Sequence, residues 1–150
     1  MEQQIEKLPF TDQPTKQMLQ SLVERKRKHE TYKQKLIFFQ LLTVTEAVLF
    51  LTCFYLIVHT KNGADPSLFL FYFFQPGNVP AVLLLGGSFA TCLFLKRKEE
   101  KAEKEFHELR CEIIDKSTDL WKNPVEWQHR DKVFAIMKKE YHINLYYKAK

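Results

Sequence analysis

The sequence predicts an all-α membrane protein, a two-span transmembrane helical hairpin extended by cytoplasmic amphipathic helices. Three observations predict it: two apolar runs at residues 36–58 and 79–95, basic residues crowded on the outer flank of each run, and an apolar stripe at helical spacing beyond the second. The mean hydropathy of -0.32 hides this pattern, because it averages two oily runs with polar flanks.

The N-terminal segment, residues 1–35, is expected to be loose over its first ten positions. Thr11-Asp12-Gln13-Pro14 is a turn-and-cap sequence, and Met18, Leu19, Leu22 and Val23 follow at helical spacing, so a helix should start near Pro14. No breaker follows before Val58, and this helix is expected to continue into the first apolar run as a rod about 65 Å long. That run, residues 36–58, contains no Lys or Arg and rises about 35 Å as helix, enough to cross a hydrocarbon core of about 30 Å. A cleaved secretory signal is excluded by the long polar stretch before it.

Residues 59–78 form the expected outer loop, carrying the aromatic segment LFLFYFF at 68–74. Gln75-Pro76-Gly77-Asn78-Val79-Pro80 supplies turn chemistry, with Asn78 placed to cap a new helix and Pro80 suited to its first turn. The second run, 79–95, is about 26 Å of helix without an ionisable side chain and reads as a short second span. A single Pro-kinked helix over 68–95, about 42 Å long, is the alternative and would need a strong tilt.

Orientation follows from the cations, which favour the cytoplasmic side. Arg25, Lys26, Arg27, Lys28, Lys33 and Lys35 precede the first run; Lys96, Arg97, Lys98, Lys101 and Lys104 follow the second; only Lys61 lies between. Both termini are therefore expected in the cytoplasm. The net charge of +5 is local to these flanks and is not a nucleic-acid signature. Arg25, Lys26, Arg27 and Lys28, with Lys96, Arg97 and Lys98, are the expected contacts to anionic lipid head groups.

Residues 96–122 read as an amphipathic cytoplasmic helix in which Ala102, Phe106, Leu109 and Ile113 recur at intervals of four, three and four, with Leu120 resuming the stripe. The stripe is expected to pack on the helix before the first span as a short antiparallel coiled coil. A dimer seam is the other use of it, weakened by Lys116 in a core position. Asn123-Pro124 should break this helix, and the aromatic content of residues 123–150, with Trp127, Phe134, Tyr141, Tyr146 and Tyr147, is too high for a disordered tail.

Composition and motifs argue against catalysis. The chain has no phosphate-binding Gly-rich loop, HExxH or Cys-x-x-Cys, and no recognised nucleophile setting, so no enzyme, cofactor or metal centre is expected. His107 and Cys111 stand four apart on a helix, but two ligands do not make a metal site. Cys53, Cys92 and Cys111 are expected to be free thiols.

Glu46 stands apart from this bland background. A carboxylate well inside a span costs on the order of 3 kcal/mol unless protonated or paired. Gln40, Thr43, Glu46 and Ala47 fall on one side of the first span as a polar seam. At comparable depth the second run offers Gly86, Gly87, Ser88 and Ala90, of which Gly86 and Ala90 make a small-xxx-small pair suited to close helix packing. Glu46 is expected to hydrogen-bond across that contact.

The stretches ERKRKHETYKQK, KRKEEKAEKEF and WKNPVEWQHRDKVF, together with the length, resemble the YpbF-like family of small, uncharacterised two-span bacterial membrane proteins. The resemblance implies a bacterial cytoplasmic membrane and carries over no activity and no site residues. The functional expectation is a non-enzymatic scaffold or adaptor that forms a homo-oligomer or binds another membrane protein. A small oligomeric ion- or proton-conducting protein using Glu46 is the alternative.

Overall fold

A computed structural model describes residues 2–8, 11–60 and 67–148, save the side chains of Val58 and Thr60; Lys61 falls outside these residues. Every regular element among the described residues is helical: α1 (Gln3–Glu6), α2 (Gln13–Thr60), α3 (Ser67–Phe74), α4 (Val79–Asp115), α5 (Ser117–Leu120) and α6 (Pro124–Tyr141). Two of them, α2 and α4, are long and apolar enough to cross a membrane. The chain divides into two compact units, one of Met1–Thr31 with Glu100–Lys150 and one of Tyr32–Glu99.

In the first unit, α2 begins where Asp12 caps it, the carboxylate accepting from the Thr15 N–H at 3.1 Å. From there α2 runs 48 residues, because neither Gly nor Pro recurs before its end. Leu19, Leu22 and Val23 of α2 meet Phe106, Leu109 and Ile113 of α4 in one apolar core. The stripe does not form a two-helix seam, since Val133, Phe134 and Met137 of α6 enter the same core. Trp121, Ile143 and Leu145 close it.

Three further expectations are corrected in this unit. Residues 1–10 are not loose throughout: α1 seats Ile5 at 0% and Leu8 at 4% exposure in the core. The helix expected over 96–122 ends at Asp115, and a separate turn, α5, follows. Lys116 there has a bridge-region backbone, φ -87 and ψ 9, ahead of Ser117, Thr118 and Asp119, residues that compete with the helix for backbone hydrogen bonds. Lys116 is also no core residue; it is exposed and pairs with Glu112 at 2.7 Å.

Helix α6 starts at Pro124, with Glu126 accepting from the Asn123 backbone N–H at 3.3 Å. It stops at His142, whose φ of 53° is left-handed, and the Ile143 N–H closes on the Met137 carbonyl at 3.0 Å. A side chain with a Cβ strains there by about 1 kcal/mol. His142→Gly is therefore expected to raise the stability of the full chain by up to about 1 kcal/mol, read as a higher urea midpoint; a lower midpoint would contradict this assignment of strain.

In the second unit, α3 lies along α2 through aromatic rings: Phe54 meets Phe69 at 5.2 Å and Tyr72 at 5.4 Å, and Phe50 meets Tyr72 at 5.2 Å. Tyr72 is buried, whereas Phe71 and Phe74 are exposed. The chain then turns over Gln75–Asn78 rather than continuing as one kinked helix. The Asn78 carbonyl accepts the Val82 N–H at 3.0 Å, starting α4, while its side-chain amide donates to the Tyr72 carbonyl at 2.8 Å and holds the end of α3.

Candidate functional site

The second unit packs α2 on α4 through half-buried Leu36, Phe39, Thr43, Glu46, Phe50 and Phe54, spaced three or four apart. The facing residues of α4 are Val82, Leu85, Ser88, Cys92 and Leu95. Glu46 and Ser88 meet in this contact, the Ser88 hydroxyl lying 2.7 Å from Glu46 Oε2 and 3.0 Å from the Leu85 carbonyl.

A hydroxyl has one proton, so Ser88 cannot donate fully to both oxygens at once. With Glu46 ionised, Ser88 donates to the carboxylate. With Glu46 protonated, the carboxyl donates to Ser88 and Ser88 donates to Leu85. Both protonation states of Glu46 thus have a complete hydrogen-bond arrangement with Ser88.

Below this pair Thr43 donates to the Phe39 carbonyl at 2.8 Å and sits 3.6 Å from Cys92 Sγ. Gln40 departs from the expected seam: it is exposed and lies off the contact face, whereas Ala47 is half-buried on it. Gly86, Gly87 and Ala90 also depart from expectation. They are exposed, and a Cβ added at Gly86 or Gly87 would meet nothing within 4 Å. The contact face of α4 is selected by Leu85, Ser88, Cys92 and Leu95, which leaves the small residues on the opposite side.

Glu46 borders a cavity of about 290 Å³ that also reaches Cys53 of α2, Tyr72 of α3 and Asn78 at the start of α4. Sequence reasoning missed these neighbours. The signal available was the spacing Glu46, Phe50, Cys53, which puts an aromatic ring and a thiol on the face of the carboxylate.

Arg25, Lys26, Arg27 and Lys28, before the first apolar run, have partners inside the first unit. Arg25 donates to the Glu105 carbonyl at 2.9 Å, Lys28 pairs with the Glu105 carboxylate at 3.2 Å and Arg27 with Glu2 at 2.6 Å. Lys26 donates to the Tyr141 carbonyl at 2.6 Å and to the His142 carbonyl at 2.9 Å, a cation on the C-terminus of α6. After the second run, Lys96, Arg97 and Lys98 are exposed, with the Lys98 ammonium 5.4 Å from the Phe94 ring centre.

The Lys28 hydrogen bond holds the Glu105 carboxyl below its ordinary value of 4.5, against a smaller opposing effect of burial. A carboxylate lowered on folding stabilises above its unfolded value and loses that contribution as pH falls through its folded value. Glu105→Gln is expected to lower the thermal midpoint near neutrality and to converge with the parent in the acid range below 4.5. A pH-independent gap between the two midpoints would remove this role for Glu105.

His107 is 3.8 Å from Glu103 on α4, and Cys111, one turn further, is a half-buried free thiol. They border a hollow of about 640 Å³ together with Lys148, whose ammonium pairs with Asp115.

Comparison with known proteins decides the kinship of the chain. The family described as "Protein of unknown function (DUF2663)" matches residues 18–148. The chain belongs to this family. The DUF2663 match runs from the first turns of α2 to the segment after α6, so it takes in both units. A relative in Bacillus subtilis (strain 168), "Uncharacterized protein YpbF", is 41% identical over 148 residues, covering 94% of this chain and 93% of that protein. The family expected from the basic and aromatic stretches is thus the one found. No solved structure matches the chain.

Proposed function

We propose that this DUF2663 protein is a non-enzymatic scaffold or adaptor of the bacterial cytoplasmic membrane. Residues 36–58 and 79–95 cross the bilayer as a hairpin, and both termini face the cytoplasm. The first unit is the recognition module, binding a partner protein or a second copy of the chain.

One observation carries the reading: the residues flanking both apolar runs build a core of their own, with Ile5, Leu22, Ile113, Trp121 and Met137 each at 1% exposure or less. Short tails that only anchor a hairpin do not need such a core. The basic flanks support the orientation, and exposed Arg97 and Lys98 suit anionic lipid head groups. The surface of the module offers anchors for a partner in Trp127, with the Arg130 guanidinium stacked 4.0 Å from its ring centre, and in Tyr147 at 71% exposure.

The test is extraction of the tagged full chain from its native membrane into polymer discs, followed by the mass and composition of what accompanies it. A stoichiometric partner or a defined oligomer is expected, and the double variant Trp127→Ala with Tyr147→Ala should lose it while remaining folded. Deleting 123–150 is a poor substitute, since that removes Val133, Phe134 and Met137 from the core. A monomer alone under these conditions counts against the reading.

A further inference from the structure

We propose that the cavity beside Glu46 binds a lipophilic cation, an ammonium head on an apolar body, in exchange for the proton of Glu46. The inference rests on the reading that α2 and α4 lie in lipid, and it adds a ligand to a region so far assigned only to anchoring.

Four observations carry it. Ser88 is bonded to Glu46 Oε2, while the other carboxylate oxygen receives no hydrogen bond from the described residues. No Lys, Arg or His is among the described residues bordering the cavity, so none of these residues supplies a countercharge there. Phe50 and Tyr72 border the same space with ring centres 5.2 Å apart, and aromatic faces attract ammonium groups. Apart from Asn78 and the Cys53 thiol the remaining walls are apolar, and Leu49 and Leu84 there are 61% and 62% exposed, so an apolar body can extend outward along the helices.

The volume, about 290 Å³, suits the head of such a ligand rather than a large polar metabolite. The exchange balances in charge. In the empty, proton-loaded form the carboxyl donates to Ser88. When the cation enters, the proton leaves to solvent, Ser88 turns to donate to the carboxylate, and the free oxygen faces the ammonium. The other titratable groups facing the cavity are Cys53 from α2 and Tyr72 from α3; α4 contributes none among the described residues.

The experiment is calorimetric titration of the full chain in lipid discs with benzyltributylammonium, against empty discs, from pH 5 to 9. Affinity is expected to rise with pH, by at most about tenfold per unit, with up to one proton released per cation bound. Glu46→Gln should weaken binding at least tenfold, whereas Glu46→Asp, which keeps the charge, should retain the pH dependence and serves as the folding control. Phe50→Leu should weaken binding severalfold. Binding equal in parent and Glu46→Gln, or none above empty discs, overturns the proposal. Membrane flotation after alkaline extraction is run in parallel: a protein that fails to float sinks the anchoring reading, whereas one that floats and ignores the cation sinks this inference alone.

Discussion

Replacing Trp121 with alanine is expected to destabilise the core of the first unit by about 3–5 kcal/mol, the usual cost of emptying a large buried aromatic site. Trp121 is 1% exposed and meets Phe134 edge-on, ring centres 5.7 Å apart and planes at 84°. It stands between the short α5 and the start of α6, so the cavity would open where α4, α5 and α6 converge on the core. Its indole Nε1 is buried without a hydrogen-bond partner. Trp121→Phe should therefore lose much less, because it gives up ring volume but also removes an unsatisfied donor that costs about 1–3 kcal/mol. Urea unfolding of the full chain in lipid discs, followed through emission of Trp127, measures both. A Trp121→Ala loss below about 1 kcal/mol would mean that the C-terminal segment is not part of the core.

Ile5→Asp is the second change expected to have a large effect. Ile5 has no exposed surface and Leu8 almost none, and burial of each side chain is worth about 1.5–3 kcal/mol. An unpaired carboxylate cannot stay in that site, so the segment 2–8 must leave and take both side chains with it. The polar ties that remain are surface ones: Arg27 to Glu2 at 2.6 Å, the Lys16 ammonium to the Glu6 carbonyl at 2.8 Å, and the Glu2 N–H to Gln20 at 3.0 Å. Exposed pairs of this kind contribute about 1 kcal/mol or less and will not hold the segment alone. The expected result is a net loss of about 3 kcal/mol, with fast amide exchange confined at first to residues 2–8. Retained protection of those amides would show that Ile5 does not anchor the segment.

The start of α2 at its Asp-Gln-Pro cap, the break between α3 and α4 and the stripe on α4 were legible, because each is written in residues close together in the chain. The N-terminal α1 was not. It is a single turn with one buried apolar side chain, Ile5, too short to express a period. Nor was the end of α4, since Ile113 and Leu120 keep in phase across a stop that only Lys116 and the Ser-Thr-Asp sequence mark.

In the second unit, Ser88 opposite Glu46 was readable from their similar depth. The facing of Gly86, Gly87 and Ala90 was not, because both sides of α4 there are apolar and periodicity cannot choose between them. The partners of 25–28 were equally hidden: Glu105 lies 77 residues from Lys28, and His142 lies 116 from Lys26. A run of four cations reads locally as a membrane-side charge cluster, and its bonds become visible only when the two ends of the chain are brought together.

The clamp of Lys26 on the end of α6 also sets a timetable for synthesis. The lysine leaves the ribosome 116 residues before the His142 carbonyl that receives it, an interval of about 6–23 s at ordinary elongation rates. Early in that time Leu19, Leu22 and Val23 can close only against Ile5 and Leu8, because their partners in α4 and then α6 have yet to be made. The core of the module is thus complete only once α6 and Leu145 have been made. Its nascent N-terminal helix spends seconds with its apolar stripe incompletely covered, and that interval is when a chaperone or a premature partner would find it.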